Sequence, residues 1–194
     1  MTRGNIRPGG RTERVRQTVA ATVLELIKKG AGEFSMLDVA EQSGIARSTI
    51  YARWPTREAL IAEALTMHNS AFQVMPNRNW REHLRVIATA FRDFSSQPDE
   101  IAINGLMASL GPGFINQETA RQWETISYDM AAPLRVAQHD GEIRPDVDTR
   151  VVIATLFTTI AGLIVIAKDQ PSDEFLGQLT SLLIAGCEVP AEHE

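Results

Sequence analysis

The sequence predicts an all-α protein, and two observations carry that prediction. Nearly every segment places apolar residues three and four positions apart, the spacing of an amphipathic helix. No segment shows an alternating run rich in Val, Ile and Tyr and bounded by turns, the pattern typical of a strand. With 194 residues, 44% of them hydrophobic, the chain is long enough to bury a core without disulfides or a structural metal.

The N-terminal part of the chain predicts a flexible segment followed by four helices. Residues 1–10 contain three glycines, a proline and two arginines, and we expect them to form a disordered basic arm, here called the arm. Helical spacing then predicts a first helix over 11–29, two short helices over 36–42 and 46–53, and a fourth over 57–72.

The rest of the chain predicts five further helices, separated by proline and glycine. They are expected at about 80–95, 98–110, 117–138, 149–168 and 173–187. Pro133 is expected to kink the third of these, because it removes a backbone donor within the helix. Asp148 is well placed to cap the fourth. The stretch Met75-Pro76-Asn77 is the expected domain boundary.

The two short helices carry the decisive motif. Ser35 is a plausible N-cap for the first. Ala40 is small enough to let the second helix cross closely over the first. Gly44, four residues later, can adopt the left-handed conformation that reverses the chain, and Ile50 fills the angle between the helices. Together these residues predict a helix-turn-helix.

The charge distribution favours a nucleic-acid partner for this segment only. The formal net charge of −5 argues against such a partner for the chain as a whole. However, residues 1–60 contain ten basic and six acidic side chains, a net of +4, whereas residues 61–194 contain nine and eighteen, a net of −9. The sequence therefore predicts a small basic module joined to a larger acidic one.

In a helix-turn-helix, the N-terminal residues of the second helix enter the major groove. Arg47 can donate two hydrogen bonds to a guanine, and its alternative is a solvated surface arginine. The Tyr51 hydroxyl can reach a phosphate, unless the ring is half-buried. Arg57, at a helix N-terminus, is a plausible phosphate contact. The full candidate DNA-contacting set is Arg11, Ser35, Ala46, Arg47, Ser48, Thr49, Tyr51, Arg53 and Arg57.

Other classes of function find no support in the sequence. The single cysteine, Cys187, permits no intramolecular disulfide and favours a reducing compartment. The four histidines show no metal-ligand spacing, and no nucleophile motif, glycine-rich phosphate loop or acid pair stands out. We expect no metal, no cofactor and no enzyme activity. The apolar run 151–167 is short for a membrane span and contains threonines, so we expect a buried helix in a cytoplasmic protein.

The same residues resemble the tetracycline-repressor (TetR) family of bacterial transcriptional regulators. The resemblance is carried by Gly10-Arg11 onward and by the runs 35–40, 44–51 and 54–60, with a further similar loop at 141–148. Its specific part covers about a third of the chain, roughly residues 11–68. The family usually has Thr, Phe and Lys at three positions where this chain has Met36, Trp54 and Arg57, and these changes keep shape or charge.

The resemblance implies an all-helical homodimer, with three N-terminal helices on DNA and a four-helix dimer interface formed by the last two helices of each copy. The expected domains are the arm, a DNA-binding domain over 11–72 and a ligand-binding and dimerisation domain over 73–194. The expected function is a repressor that an unknown small-molecule effector releases from a near-palindromic operator. Two alternatives remain open: a ligand- or protein-binding module with a degenerate helix-turn-helix, and a transcriptional activator.

Overall fold

The computed structural model describes residues 10–29, 34–69, 72–109 and 117–190. In these residues the chain forms ten α-helices and one π-helical turn, with a lone β-bridge between Ile143 and Glu188 and no strand. The all-α prediction is therefore confirmed. The chain divides into two compact units: one of residues 1–71 and 105–120, the other of residues 72–104 and 121–194.

The first unit contains four helices: α1 (Arg11–Lys28), α2 (Met36–Ser43), α3 (Arg47–Arg53) and α4 (Arg57–Asn69). Each contributes at least one fully buried aliphatic side chain to the same core: Val23, Val39, Ile50, Leu60 and Ile61. Their burial explains why helices as short as α2 and α3 persist, since a helix of seven or eight residues is not stable in water by itself.

Six more helices follow: α5 (Trp80–Ser95), α6 (Pro98–Ser109), α7 (Gln117–Met130), α8 (Ala132–His139), α9 (Thr149–Gly162) and α10 (Asp173–Cys187). In the second unit α5 packs against α8, α9 and α10. Leu84, Ile87, Leu134, Ile153 and Leu156 form the fully buried centre of this core. The predicted bounds of α5 and α10 are confirmed, and Asp148 caps α9 by accepting from the Arg150 N–H at 2.9 Å.

The prediction of one kinked helix over 117–138 is wrong. The chain forms two helices, α7 and α8, separated at Ala131. Pro133 lies in the first turn of α8, where its missing N–H costs nothing. The buried imidazole of His83 in α5 donates from Nε2 to the Met130 carbonyl oxygen at this break, at 2.9 Å, and its Nδ1 accepts from the Asn77 N–H. Burial lowers the pKa of His83, which matches this neutral tautomer.

The segment predicted as a buried helix over 149–168 is buried on one side only. After Gly162 the α-helix gives way to the π-helical turn Leu163–Ala167, and Lys168 ends it in the left-handed conformation (φ 55°). Ile153 and Ile160 are fully buried, whereas Val151 is 60% exposed and Ile166 80% exposed. Among the described residues, Thr149–Ala167 is also the one segment long and apolar enough to cross a bilayer by length and composition alone.

Candidate nucleic-acid interface

A capping box fixes the start of α2. The Ser35 hydroxyl accepts from the Asp38 N–H at 3.2 Å, and Asp38 Oδ2 accepts from the Ser35 N–H at 2.6 Å and from its hydroxyl at 2.7 Å. These bonds hold the pKa of the Asp38 carboxyl below its ordinary value. The predicted N-cap role of Ser35 is therefore confirmed, and its hydroxyl is already engaged within the protein.

The turn between α2 and α3 has the stereochemistry that its residues predict. Gly44 adopts the left-handed conformation with φ 67°, which a residue with a Cβ enters only at a cost. Ile50 and Val39 are both fully buried, and Ala40 is 6% exposed. The two helices are thus locked by packing at a sharp turn. This is a helix-turn-helix, as predicted.

The exposed side of α3 carries the side chains predicted to reach base edges. Ala46 precedes the helix as its N-cap, and Arg47, Ser48 and Thr49 in the first turn are all exposed. Tyr51, one turn further, is 46% exposed, so its hydroxyl is available at the helix surface. The helix itself contains one buried side chain and no carboxylate. An α-helix of these dimensions and polarity suits the major groove of B-DNA.

Two of the predicted phosphate-binding arginines also hold the domain together. Arg53 Nη1 donates to the Thr12 carbonyl oxygen at 3.2 Å, and its guanidinium lies 5.7 Å from the Trp54 ring centroid. Arg57 Nε donates to the Phe34 carbonyl oxygen at 2.9 Å, with the guanidinium 4.7 Å from the Phe34 ring centroid. Arginine has five N–H donors, so one internal bond does not preclude a phosphate contact. Trp54, at 3% exposed, packs in the core as predicted.

The start of α1 lies beside these groups. Arg11 and Arg14 are exposed in the first turn of α1, where phosphate contacts are predicted. Sequence reasoning missed the role of Arg16, whose guanidinium binds the Glu63 carboxylate of α4 at 2.5 Å. This ion pair raises the pKa of Arg16 and ties α1 to α4. No pattern in the sequence distinguishes it from its exposed neighbours, since the two residues are 47 positions apart.

In the second unit, exposed apolar side chains occupy the outer sides of the last two helices. Val151 and Ala154 in α9, Ile166 in the π turn and Leu182 in α10 are exposed, Leu182 at 71%. We call these side chains the apolar faces of α9 and α10. Gly177 and Gly186 leave open space where a Cβ would lie, so another helix can approach α10 closely.

A buried turn that presents an exposed, basic, carboxylate-free helix defines a helix-turn-helix DNA-binding domain. Residues 19–64 match the family model described as bacterial regulatory proteins, tetR family. Two uncharacterized HTH-type transcriptional regulators, from Mycobacterium bovis and Mycobacterium tuberculosis, are each 26% identical to this chain over 152 residues, which is 76% of either chain.

Solved structures agree with this class. A TetR transcriptional regulator from Agrobacterium tumefaciens superposes with a TM-score of 0.69 at 16% identity, covering 90% of this chain and 95% of that one. The FadR regulator from Bacillus subtilis in complex with stearoyl-CoA gives 0.67 at 16% identity, covering 88% and 98%. The chain belongs to the TetR family of bacterial transcriptional regulators.

Proposed function

We propose that this regulator is a dimeric repressor that binds a near-palindromic operator and is released from it by a small-molecule effector. The observation that carries the DNA-binding part is the exposed first turn of α3, where Arg47, Ser48 and Thr49 face solvent on a helix locked by the turn at Gly44. In this proposal Arg47 reads a guanine, while Arg11, Tyr51, Arg53 and Arg57 contact phosphates.

The candidate residues do not all have the same role. Ser48 and Thr49 are positioned for base edges or phosphates, and Ala46, preceding α3, for close apolar approach. Ser35 is exposed, and its side chain is engaged in the capping box, so we assign it to a contact through the N-terminus of α2. A helix N-terminus presents free backbone N–H groups, which favour a phosphate oxygen.

Dimerisation is supported by the apolar faces of α9 and α10. Monomeric soluble proteins seldom expose large contiguous apolar patches, and exposed leucine and valine on neighbouring helices suit a helical partner of the same kind. A two-fold dimer presents two copies of α3 to half-sites one helical turn apart, about 34 Å. In this assignment residues 11–72 bind DNA and residues 73–194 bind the effector and form the dimer.

Effector release is supported by the fold. The B. subtilis FadR structure holds stearoyl-CoA in the same overall fold, so this architecture can accommodate a small molecule. Release requires the effector to bind the DNA-incompetent state more tightly than the competent one. A tenfold loss of DNA affinity needs about 1.4 kcal/mol of that difference. As a member of a family of soluble regulators, the protein acts in the cytosol.

The proposal is tested by selecting binding sites from random duplexes with the full-length protein. We expect one near-palindromic sequence, bound about 10³-fold or more above random DNA. Arg47→Ala should relax the preference at one position of each half-site, whereas Arg85→Ala, an equally exposed arginine on α5, should leave it unchanged. Selection of no sequence would favour a binding module with a degenerate helix-turn-helix. Transcription from the selected site in vitro distinguishes repression from activation.

A further inference from the structure

The structure places the start of α1 beside the end of the recognition helix. Arg53 is the last residue of α3, and its Nη1 donates to the Thr12 carbonyl oxygen in the first turn of α1 at 3.2 Å. The two residues are 41 positions apart in sequence, so this contact belongs to the tertiary fold. Residues preceding α1 therefore leave the domain next to the C-terminal end of α3.

The chain enters α1 from an extended conformation. Gly10 has φ −61° and ψ 165°, and its carbonyl oxygen accepts from the N–H groups of Glu13 and Arg14 at 2.9 and 3.2 Å. The helix thus begins at a fixed point, with Arg11 and Arg14 exposed on its first turn. Two cations at this position suit the sugar-phosphate backbone that borders the groove occupied by α3.

The neighbouring DNA element is a minor groove. When α3 enters the major groove with its N-terminus leading, its C-terminal end lies at the edge of that groove, against the backbone. On the other side of this backbone lies the adjacent minor groove, about 6 Å wide. The nine residues before Gly10 reach about 30 Å when extended, which is far more than the width of one strand.

The composition of the arm suits that groove. Its first nine residues, MTRGNIRPG, contain Arg3 and Arg7 and no acidic side chain. Glycine next to an arginine allows close approach to the groove walls, and arginine is favoured over lysine in a narrow A·T-rich minor groove because its guanidinium is more weakly hydrated. We propose that the arm lies in the minor groove flanking each half-site and that Arg3 and Arg7 select A·T pairs there.

This inference rests on the proposed function, and the test separates the two. Wild-type protein is titrated with the selected operator carrying A·T, G·C or inosine·C pairs at the flanking positions. Inosine·C resembles A·T in the minor groove, because inosine lacks the guanine N2 amino group, but resembles G·C in the major groove. We expect G·C flanks to weaken binding about tenfold and inosine·C flanks to leave it unchanged.

The matched variants assign the effect to the arm. Arg3→Ala combined with Arg7→Ala should bind all three operators with equal affinity, whereas Arg3→Lys with Arg7→Lys should keep the charge and lose most of the flank preference. Three results would overturn the inference: inosine·C behaving like G·C, the alanine variant weakening all operators by the same factor, or the alanine variant keeping the flank preference. Failure of the wild type to prefer the central operator over random DNA would instead overturn the proposed function.

Discussion

Helix α3 and the apolar faces of α9 and α10 both expose side chains to solvent, and the two surfaces differ in chemistry. The first turn of α3 exposes Arg47, Ser48 and Thr49, which remain hydrated until a partner replaces the water. The outer sides of α9 and α10 expose Val151 and Leu182, at 60% and 71%, which gain free energy when water is removed. The first surface suits phosphates and base edges, and the second suits another apolar surface.

The charge distribution follows the same division. The net of +4 in residues 1–60 attracts DNA, and the net of −9 in residues 61–194 repels it, so an average of −5 conceals a polarised molecule. Neither the total charge nor the total hydrophobicity identifies the partners. What identifies them is which residue types remain exposed on which helix.

The largest expected effect comes from breaking the apolar faces. Leu182→Glu places a charge where the proposed dimer contact buries a leucine, so we expect a monomer in analytical ultracentrifugation. Operator affinity should fall about 10²-fold or more, because the second half-site no longer adds its avidity. Val136→Glu, at a valine on α8 that is 60% exposed, is the matched control and should remain dimeric. A dimeric Leu182→Glu protein with normal affinity would place the interface elsewhere.

The next effect comes from breaking the surface of α3. Arg47→Ala should cost about 1–3 kcal/mol of discrimination at one guanine while leaving the oligomeric state and the thermal stability unchanged. Fluorescence anisotropy with operators carrying single base changes measures this difference. If the variant loses the same affinity for every sequence, Arg47 contacts a phosphate and not a base.

A smaller effect separates the stability of the two regions. Ser35→Ala removes the capping box of α2 and should destabilise the helix-turn-helix by about 1 kcal/mol. Ser172, whose hydroxyl accepts from the Phe175 N–H at 3.1 Å, caps α10 and provides the matched Ser→Ala variant. Hydrogen exchange should increase in α2 for the first variant and in α10 for the second. Only the first should weaken DNA binding through the loss of order near Gly44.

The smallest expected effect is a pH dependence confined to the second unit. Burial lowers the pKa of His83 below its ordinary value of 6.5, so the unfolded chain binds a proton before the folded one does. The free energy of unfolding should therefore fall as pH drops below 6.5, and level off below the folded-state pKa. Urea unfolding between pH 5 and 8 measures this slope. His83→Gln should reduce it, whereas His139→Gln, at an exposed position on α8, should not.

The sequence predicted those parts of the fold that short-range chemistry determines. The bounds of α5 and α10, the cap at Asp148 and the turn at Gly44 follow from residues within a few positions of each other. The break at Ala131 could not be predicted, because a proline in a helical run is compatible with a kink or with the start of a new helix. The π turn after Gly162 leaves no local pattern either.

At the candidate interface, sequence reasoning found the exposed residues of α3 but not the internal contacts of its neighbours. The bonds from Arg53 to Thr12 and from Arg57 to Phe34 span 41 and 23 positions and arise only when the helices pack. A basic side chain near a helix-turn-helix thus predicts affinity for DNA, while its share in holding the domain together depends on tertiary structure.

The central claim is that two copies of α3 read the major groove of one operator, and guanine methylation interference tests it most directly. Methylation at N7 blocks the major-groove edge of guanine. The account predicts interference at guanines in two patches whose centres lie about 10–10.5 base pairs apart, or a multiple of that spacing. With Arg47→Ala, interference should disappear at one guanine of each patch. Interference at a single patch, or a wild-type pattern that Arg47→Ala leaves intact, would contradict the account.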